Sequence, residues 1–318
     1  MVFAPIAADL AEVERILAAT AAEARSAVQP LLAHAAHYKG KRLRPALLLL
    51  VAKACGNVTR AHHWLAAVLE MIHTATLVHD DVLDGASVRR HVATVNASFG
   101  TQASILLGDF LFTHAFHLTS TLDDARACRI IGESTNRLCE GEMLQICQRG
   151  NLDLDEATYL DIIDAKTAEL TACACKLGAL YADAGETVAE RMTQFGRSLG
   201  IAFQIADDLL DIAGEETLAG KSLGTDLEQQ KLTLPVIHLL QRAEPALRER
   251  GRAILTAAGN HKRESLLPVL EAAGSLEYAR RKAEGYAAAA LAELDCVPPT
   301  SSRTALEILA DRVVNRDH

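Results

Sequence analysis

Aromatic residues are scarce in this chain, 4% against 50% hydrophobic residues in all. Ala and Leu carry the hydrophobic share, and both are strong helix formers. Alternating Val/Ile/Thr runs and Asn-Gly turns are missing, which excludes most sheet architectures. No stretch is dense in Lys and Arg, and the formal charge is −9, so a nucleic-acid partner is not expected. The longest apolar run, around Ala46 to Ala52, is far too short to span a bilayer. Met1 to Arg15 is acidic and lacks a secretory pattern, so the expected location is the cytoplasm. The seven Cys (Cys55, Cys128, Cys139, Cys147, Cys173, Cys175, Cys296) are odd in number and have no C-x-x-C spacing, which argues against a disulfide framework or a zinc site. No linker divides the chain. The expectation is one all-α domain over residues 1–318.

What the chain does have is a repeated acid motif. Asp80-Asp81-Val82-Leu83-Asp84 closes an apolar helix, and Asp207-Asp208-Leu209-Leu210-Asp211 repeats the spacing. On a helix, residues four apart share a face, so Asp80 and Asp84 stand about one turn apart. Carboxylates that close repel unless a cation joins them. They are hard ligands suited to Mg²⁺, which is usually completed by waters and substrate phosphates. A helix C-terminus disfavours acids through its dipole, so these acids are not placed for helix stability. Apolar neighbours embed both clusters in core-forming helices, and the two are expected to be walls of one metal-diphosphate site.

Cationic groups accompany the acids. Tyr38-Lys39-Gly40-Lys41-Arg42-Leu43-Arg44-Pro45 concentrates four cations at a loop that leads into a helix, with Pro45 suited to its first turn. His73 lies two turns before Asp80 on the same face. Arg89-Arg90 follows the first motif, and Arg geometry suits bidentate grip of diphosphate. Lys166 sits amid apolar turns and wants an anionic partner, and Gln145 is a candidate supporting group. Gly214, Gly220, Lys221, Gly224 and Lys231 lie in a polar loop of the length expected of a lid.

The periodicity predicts helices over about His62–Asp84, Thr101–Leu118, Ile130–Gln148, Glu156–Ala184 and Thr304–Val314. Asp9-Leu10-Ala11-Glu12 and Thr187-Val188-Ala189-Glu190 have capping-box spacing and are expected to open helices.

Together these residues resemble the trans-polyprenyl diphosphate synthases over about residues 30 to 240. The match runs through Gly40-Lys41-x-x-Arg44-Pro45, His79-Asp80-Asp81-x-x-Asp84, Arg89-Arg90, Lys166-Thr167, Gln204-x-x-Asp207-Asp208-x-x-Asp211, Gly220-Lys221 and Lys231-x-Thr233-Leu234-Pro235. Met71 to Leu77 and Gly108-Asp109-Phe110 look most like the bacterial octaprenyl members. The resemblance implies a helical bundle of the isoprenoid synthase type around a central cavity, a homodimer, and head-to-tail coupling of isopentenyl diphosphate to an allylic diphosphate. It implies about three Mg²⁺ ions. Asp80, Asp84 and Asp207 would bind them, supported by Asp81, Asp208 and Asp211, with Asp208 and Asp211 also counted among the metal residues. Lys41, Arg44, His73 and Arg90 would hold isopentenyl diphosphate. Arg89, Lys166, Thr167, Gln204, Lys221 and Lys231 would hold the allylic diphosphate. Asp80, Asp81, Asp84, Lys166, Asp207, Asp208 and Lys221 form the expected catalytic set. His91 stands where the family often has Gly, and Gln230 stands where Gly commonly precedes the loop Lys.

Ala75 and Thr76, one turn below Asp80, are small where short-chain enzymes of the family place bulky aromatics. Each helical turn is about 5.4 Å, on the order of one isoprene unit, so a growing chain can pass and a product of about C40 is expected. Met71, Phe112 and Phe116 are candidates for the tunnel floor. Such a product would serve quinone side chains and needs at most transient membrane contact for its release. The alternatives are a short-chain synthase, a metal-dependent phosphohydrolase built on His79-Asp80, a terpene cyclase, or a regulatory subunit. The phosphohydrolase needs further His ligands, the cyclase needs no isopentenyl diphosphate site, and a regulatory subunit would be expected to have lost acids.

Overall fold

The Ala- and Leu-rich sequence folds as helices nearly throughout a computed structural model that describes residues 2–38, 40–122, 125–214, 223–257 and 261–314. Lys39, Gly220 and Lys221 lie outside the described residues. In chain order come α1 (Ala7–Glu23), α2 (Gln29–Ala35), α3 (Leu43–Cys55), α4 (Arg60–Leu83), α5 (Val95–Phe99), α6 (Thr101–Ser120), α7 (Ala125–Cys147), α8 (Glu156–Ile163), α9 (Glu169–Leu180) and α10 (Glu186–Ala213). A short helix, Thr225–Glu228, and helices Leu234–Arg242, Pro245–Thr256, Lys262–Ala272, Ser275–Glu293 and Ser301–Val314 complete the order. The chain divides into two compact units. One comprises Met1–Thr135, Leu170–Gly196 and Glu293–Leu309, and the other Asn136–Glu169, Arg197–Ala292 and Ala310–His318.

In the first unit α3 is apolar on every side and buried from Pro45 to Ala52, as a central helix must be. Each of Leu47 to Leu50 leaves water completely, worth about 1.5–3 kcal/mol apiece. Gly178 lets α9 approach, since a Cβ there would lie 2.5 Å from the Leu48 carbonyl oxygen. The 24-residue α4 packs against α1, α3 and α6. Thr59 caps it through a reciprocal box in which the Thr59 N–H donates to His62 Nδ1 at 2.9 Å. The His62 Nε2–H reaches the Gly178 carbonyl at 3.2 Å, so this buried His serves structure.

The core of the second unit gathers Tyr159, Ile163, Ile205, Ile212, Leu234 and Ile237, among others. Its α10 segment therefore turns one face inward and leaves the acid motif at the edge of that core.

Three expectations change. Asp9 caps nothing: α1 comes after a 3₁₀ turn, Ala4–Ile6, and Asp9 instead accepts from His63 Nε2 at 2.9 Å and Lys53 Nζ at 3.3 Å. α10 starts at Glu186, so Thr187 lies inside it. The long helix expected from Glu156 ends α8 at Ile163 and passes through a π-turn, Asp164–Ala168, before α9. One hairpin is also present, pairing β1 (Val88–Arg89) with β2 (Val92–Ala93).

Candidate active site

The first acid motif ends α4. Asp80 and Asp84 are half-buried, whereas Asp81 is sealed from solvent. Arg89 Nε donates to Asp81 Oδ1 at 2.7 Å, and Asp81 Oδ2 is buried without a hydrogen-bond partner. Arg90 and His91 form the hairpin turn with φ of 50° and 65°. Two successive left-handed residues are what a type I′ two-residue hairpin demands, a backbone that favours Gly.

Cations collect beside this hairpin. The Arg90 guanidinium covers Gly40, where a Cβ would lie 2.6 Å from Nη1, and it donates to the Tyr38 carbonyl. Arg42 pairs with Glu14 and with buried Glu70, each at 2.6 Å. Arg44 Nε is buried and unpartnered. Burial lowers the Arg44 pKa to about 10, opposed by Glu70 and aided by Arg90. Burial, then the charges of Arg44, Arg90, Arg89 and Arg42, hold His73 well below its usual value, so it is a neutral imidazole. Arg44, His73, Arg89 and Arg90 are thus brought together, with Lys41 exposed next to Gly40. Glu70 and Glu14 carry no signal in the sequence, because their significance depends on Arg42.

Behind the acids, His79 Nε2 lies 3.1 Å from the Ile105 carbonyl and its ring stacks on Phe112 at 6.1 Å. A Cβ at Gly108 would overlap that ring, which accounts for the Gly in Gly108-Asp109-Phe110. Ala75 and Met71 are buried, whereas Thr76, Phe112 and Phe116 are half-buried.

In the second unit a cavity of about 100 Å³ is lined by Gln145, Lys166, Thr167, Gln204, Asp208 and Lys231, among others. Lys166 pairs with Glu142 and donates to Gln145 Oε1 at 2.9 Å, so its anionic partner is Glu142. Thr167 Oγ1 donates to Gln204 Oε1 at 2.9 Å, and Gln204 Nε2 donates to Asp208 Oδ1 at 2.7 Å. The Tyr159 hydroxyl closes the chain on Asp208 Oδ2 at 2.6 Å. Burial pushes the Asp208 carboxyl well up, and Asp226 adds to it, against the hydrogen bonds from Tyr159 and Gln204. Asp211 accepts from Thr225 Oγ1 at 2.9 Å and from the Asp226 amide at 3.2 Å. Gln230 takes φ of 57° and its carbonyl accepts from the Gly150 amide at 2.8 Å. Tyr159 and Glu142 have no distinguishing signal in the sequence.

Each acid motif keeps carboxylates at partly open positions, Asp80 and Asp84 in the first unit and Asp207 in the second, and such carboxylates are hard donors suited to Mg²⁺ or Ca²⁺. Among the described residues no three His, Cys, Asp or Glu converge as a ready ligand set. Both carboxylate oxygens of Asp208 and of Asp211 accept protein hydrogen bonds.

The polyprenyl synthetase family model matches residues 25–272. The chain belongs to the polyprenyl synthetase family. It is a prenyltransferase, a trans-prenyl diphosphate synthase. It is 40% identical over 282 residues to octaprenyl diphosphate synthase of Escherichia coli K12, covering 87% of this chain and 86% of that protein. Among solved structures of this family, the decaprenyl diphosphate synthase of Rhodobacter capsulatus superposes with a TM-score of 0.92 at 34% identity, over 100% of this chain and 98% of that one. The polyprenyl synthase of Caulobacter crescentus, complexed with calcium and isoprenyl diphosphate, gives 0.90 at 36% identity, over 100% and 97%.

Proposed function

We propose that the chain is a long-chain synthase that couples isopentenyl diphosphate head to tail onto an allylic diphosphate such as farnesyl diphosphate, with a product of about C40, the octaprenyl length of its Escherichia coli relative. The observation that carries the substrate assignment is Arg44, buried and unpartnered at Nε among Arg42, Arg89, Arg90 and a neutral His73. Like charges gathered in that way are relieved by a polyanion. The isopentenyl diphosphate would be held by Lys41, Arg44, His73 and Arg90. Lys166, Thr167, Gln204 and Lys231 would hold the allylic diphosphate, with Arg89 and Lys221 assigned to the same task by family resemblance.

Both acid motifs would serve this reaction through Mg²⁺, which Asp80, Asp84 and Asp207 would hold, supported by Asp81, Asp208 and Asp211. When bound, Mg²⁺ supplies Lewis-acid neutralisation of the departing diphosphate. The side chains here bind and orient. Lys166 offers donors to the leaving oxygens. The apolar wall beneath Asp80, with Ala75, Thr76 and Phe112, keeps water from the allylic cation. The double bond of isopentenyl diphosphate attacks that cation, and the released diphosphate takes the proton, since no side chain stands out as base.

Small Ala75 and Thr76 support a long product, and Met71, Phe112 and Phe116 would close the tunnel. We place the product in quinone side chains and the enzyme in the cytoplasm. Among the described residues no helix is long and apolar enough to cross a membrane, so contact with lipid would be transient, at product release. Ile105 and Leu106, 44% and 67% exposed on α6, support a homodimer. The phosphohydrolase reading is disfavoured because the His79 ring is engaged by the Ile105 carbonyl and by Phe112. Incorporation of labelled isopentenyl diphosphate into farnesyl diphosphate tests the proposal. Label is expected only with Mg²⁺ present, and hydrolysis without incorporation would contradict it.

A further inference from the structure

The π-turn Asp164–Ala168 carries Lys166 and Thr167, and its geometry has a cost. A π-turn is rare and inserts one residue into a helix, rotating the residues beyond it by about 100°. Were the turn to relax to α-helix, Lys166 and Thr167 would rotate relative to either α8 or α9. Something must hold the phase.

Four charged side chains bracket the turn. Asp164 is its first residue and Glu169 comes directly after its last. Arg137 of α7 donates to Asp164 Oδ2 at 2.6 Å and lies 3.5 Å from Glu169 Oε2. Arg197 of α10 donates to Glu169 Oε2 at 2.8 Å and also to Asp164 Oδ1. Each guanidinium therefore spans both acids, and each acid is shared. The planar fork of Arg fixes such a ring in a way that Lys cannot. Glu169 is 9% exposed, so the ring is not a loose surface pair. On another side, Gly141 brings α7 against the turn, where a Cβ would lie 2.8 Å from the Lys166 amide nitrogen. The cavity uses Lys166 and Thr167, while Arg137, Asp164, Arg197 and Glu169 are absent from its lining.

We propose that Arg137, Asp164, Arg197 and Glu169 are positioning residues that lock the π-turn in phase, so that Lys166 and Thr167 face the cavity. The proposal rests on the reading that Lys166 and Thr167 hold the allylic diphosphate. The ring itself touches no substrate.

The test compares Arg197→Gln, Arg197→Lys, Arg137→Gln and Lys166→Ala in the full chain. Steady-state KM is measured separately for farnesyl diphosphate and isopentenyl diphosphate, with thermal melting and amide hydrogen exchange over residues 164–170. Arg197→Gln is expected to raise the farnesyl diphosphate KM about tenfold, as displaced positioning groups do, and to speed exchange in the turn. Its KM for isopentenyl diphosphate stays within about twofold. Arg197→Lys falls between Arg197→Gln and wild type. Should Arg197→Gln fail to fold, Arg137→Gln, whose side chain is 41% exposed, reads out the same split. Equal rises in both KM values, or unchanged exchange and KM in a folded variant, overturn the clamp. An unchanged farnesyl diphosphate KM in Lys166→Ala overturns the reading of the cavity instead, and exchange over 164–170 still decides whether the ring holds the turn.

Discussion

Arg89 Nε donates to Asp81 Oδ1 at 2.7 Å, and Asp81 is wholly buried. The second motif treats its middle acid in the same way. Asp208 is 4% exposed and accepts from Tyr159 and Gln204. The middle Asp of each motif anchors a neighbour, and the first Asp of each motif stays half-open. One spacing thus encodes two roles.

This division predicts opposite phenotypes. Asp80→Ala should lower turnover by about 10²-fold or more while the melting temperature changes little, because Asp80 is half-buried and its role is electrostatic. Asp81→Ala should cost about 1–3 kcal/mol of stability, by leaving Arg89 without its acid. Turnover and melting curves of the two variants check this. Near-normal turnover in Asp80→Ala contradicts the assignment.

Chain length is better probed at Thr76 than at Ala75. Both Ala75→Phe and Thr76→Phe should shorten the product. Ala75 is 0% exposed, however, so Phe there overpacks the core by about 1–3 kcal/mol. Thr76 is half-buried and admits the ring with less strain. An unchanged product length in a folded Thr76→Phe variant refutes the tunnel placement.

Gln230 is held at φ 57°, a left-handed conformation that costs an L-residue about 1–2 kcal/mol. Gln230→Gly should therefore stabilise the protein by up to about 1 kcal/mol, less the entropy that Gly adds to the unfolded chain. His91, at φ 65°, should respond less, since His tolerates this region better. Urea midpoints of the two Gly variants measure the difference. Destabilisation by Gln230→Gly would contradict it.

The neutral His73 has a consequence for pH. Its folded pKa lies well below the unfolded value of about 6.5, so the unfolded chain binds the proton first as pH falls. This group therefore costs no stability above about pH 6.5, and stability is lost as pH drops below it. His73→Asn should abolish that share of the loss. The gap between wild-type and His73→Asn urea midpoints, tracked from about pH 8 to 5, should move in favour of the variant as pH falls below about 6.5. A constant gap contradicts the burial of a neutral imidazole.

Much of this is legible in the sequence because it is local. The 3.6 period places α4 and α6 within a few residues, and the acid spacing exposes both motifs. What escapes is set by partners far along the chain. Asp9 reads as a cap but is claimed by Lys53 and His63. Asp208 reads as a metal residue, and the sequence gives no sign that Tyr159, 49 residues away, also donates to its Oδ2. The π-turn has no one-residue signature, since its phase is held by Arg137 and Arg197 from other helices. Positions 91 and 230 stand out in the sequence as departures from Gly, and their physical meaning, a left-handed backbone, needs coordinates.

The most direct test is the product of a single incubation: purified chain, Mg²⁺, farnesyl diphosphate and labelled isopentenyl diphosphate, with dephosphorylated products separated by length. Metal-dependent incorporation is expected, with a dominant product of about C40, each added unit advancing on the order of one helical turn along α4. A product of about C15 to C20 would contradict the open passage below Asp80, where Ala75 and Thr76 sit. No incorporation at all, with metal and primer varied, would contradict the function itself.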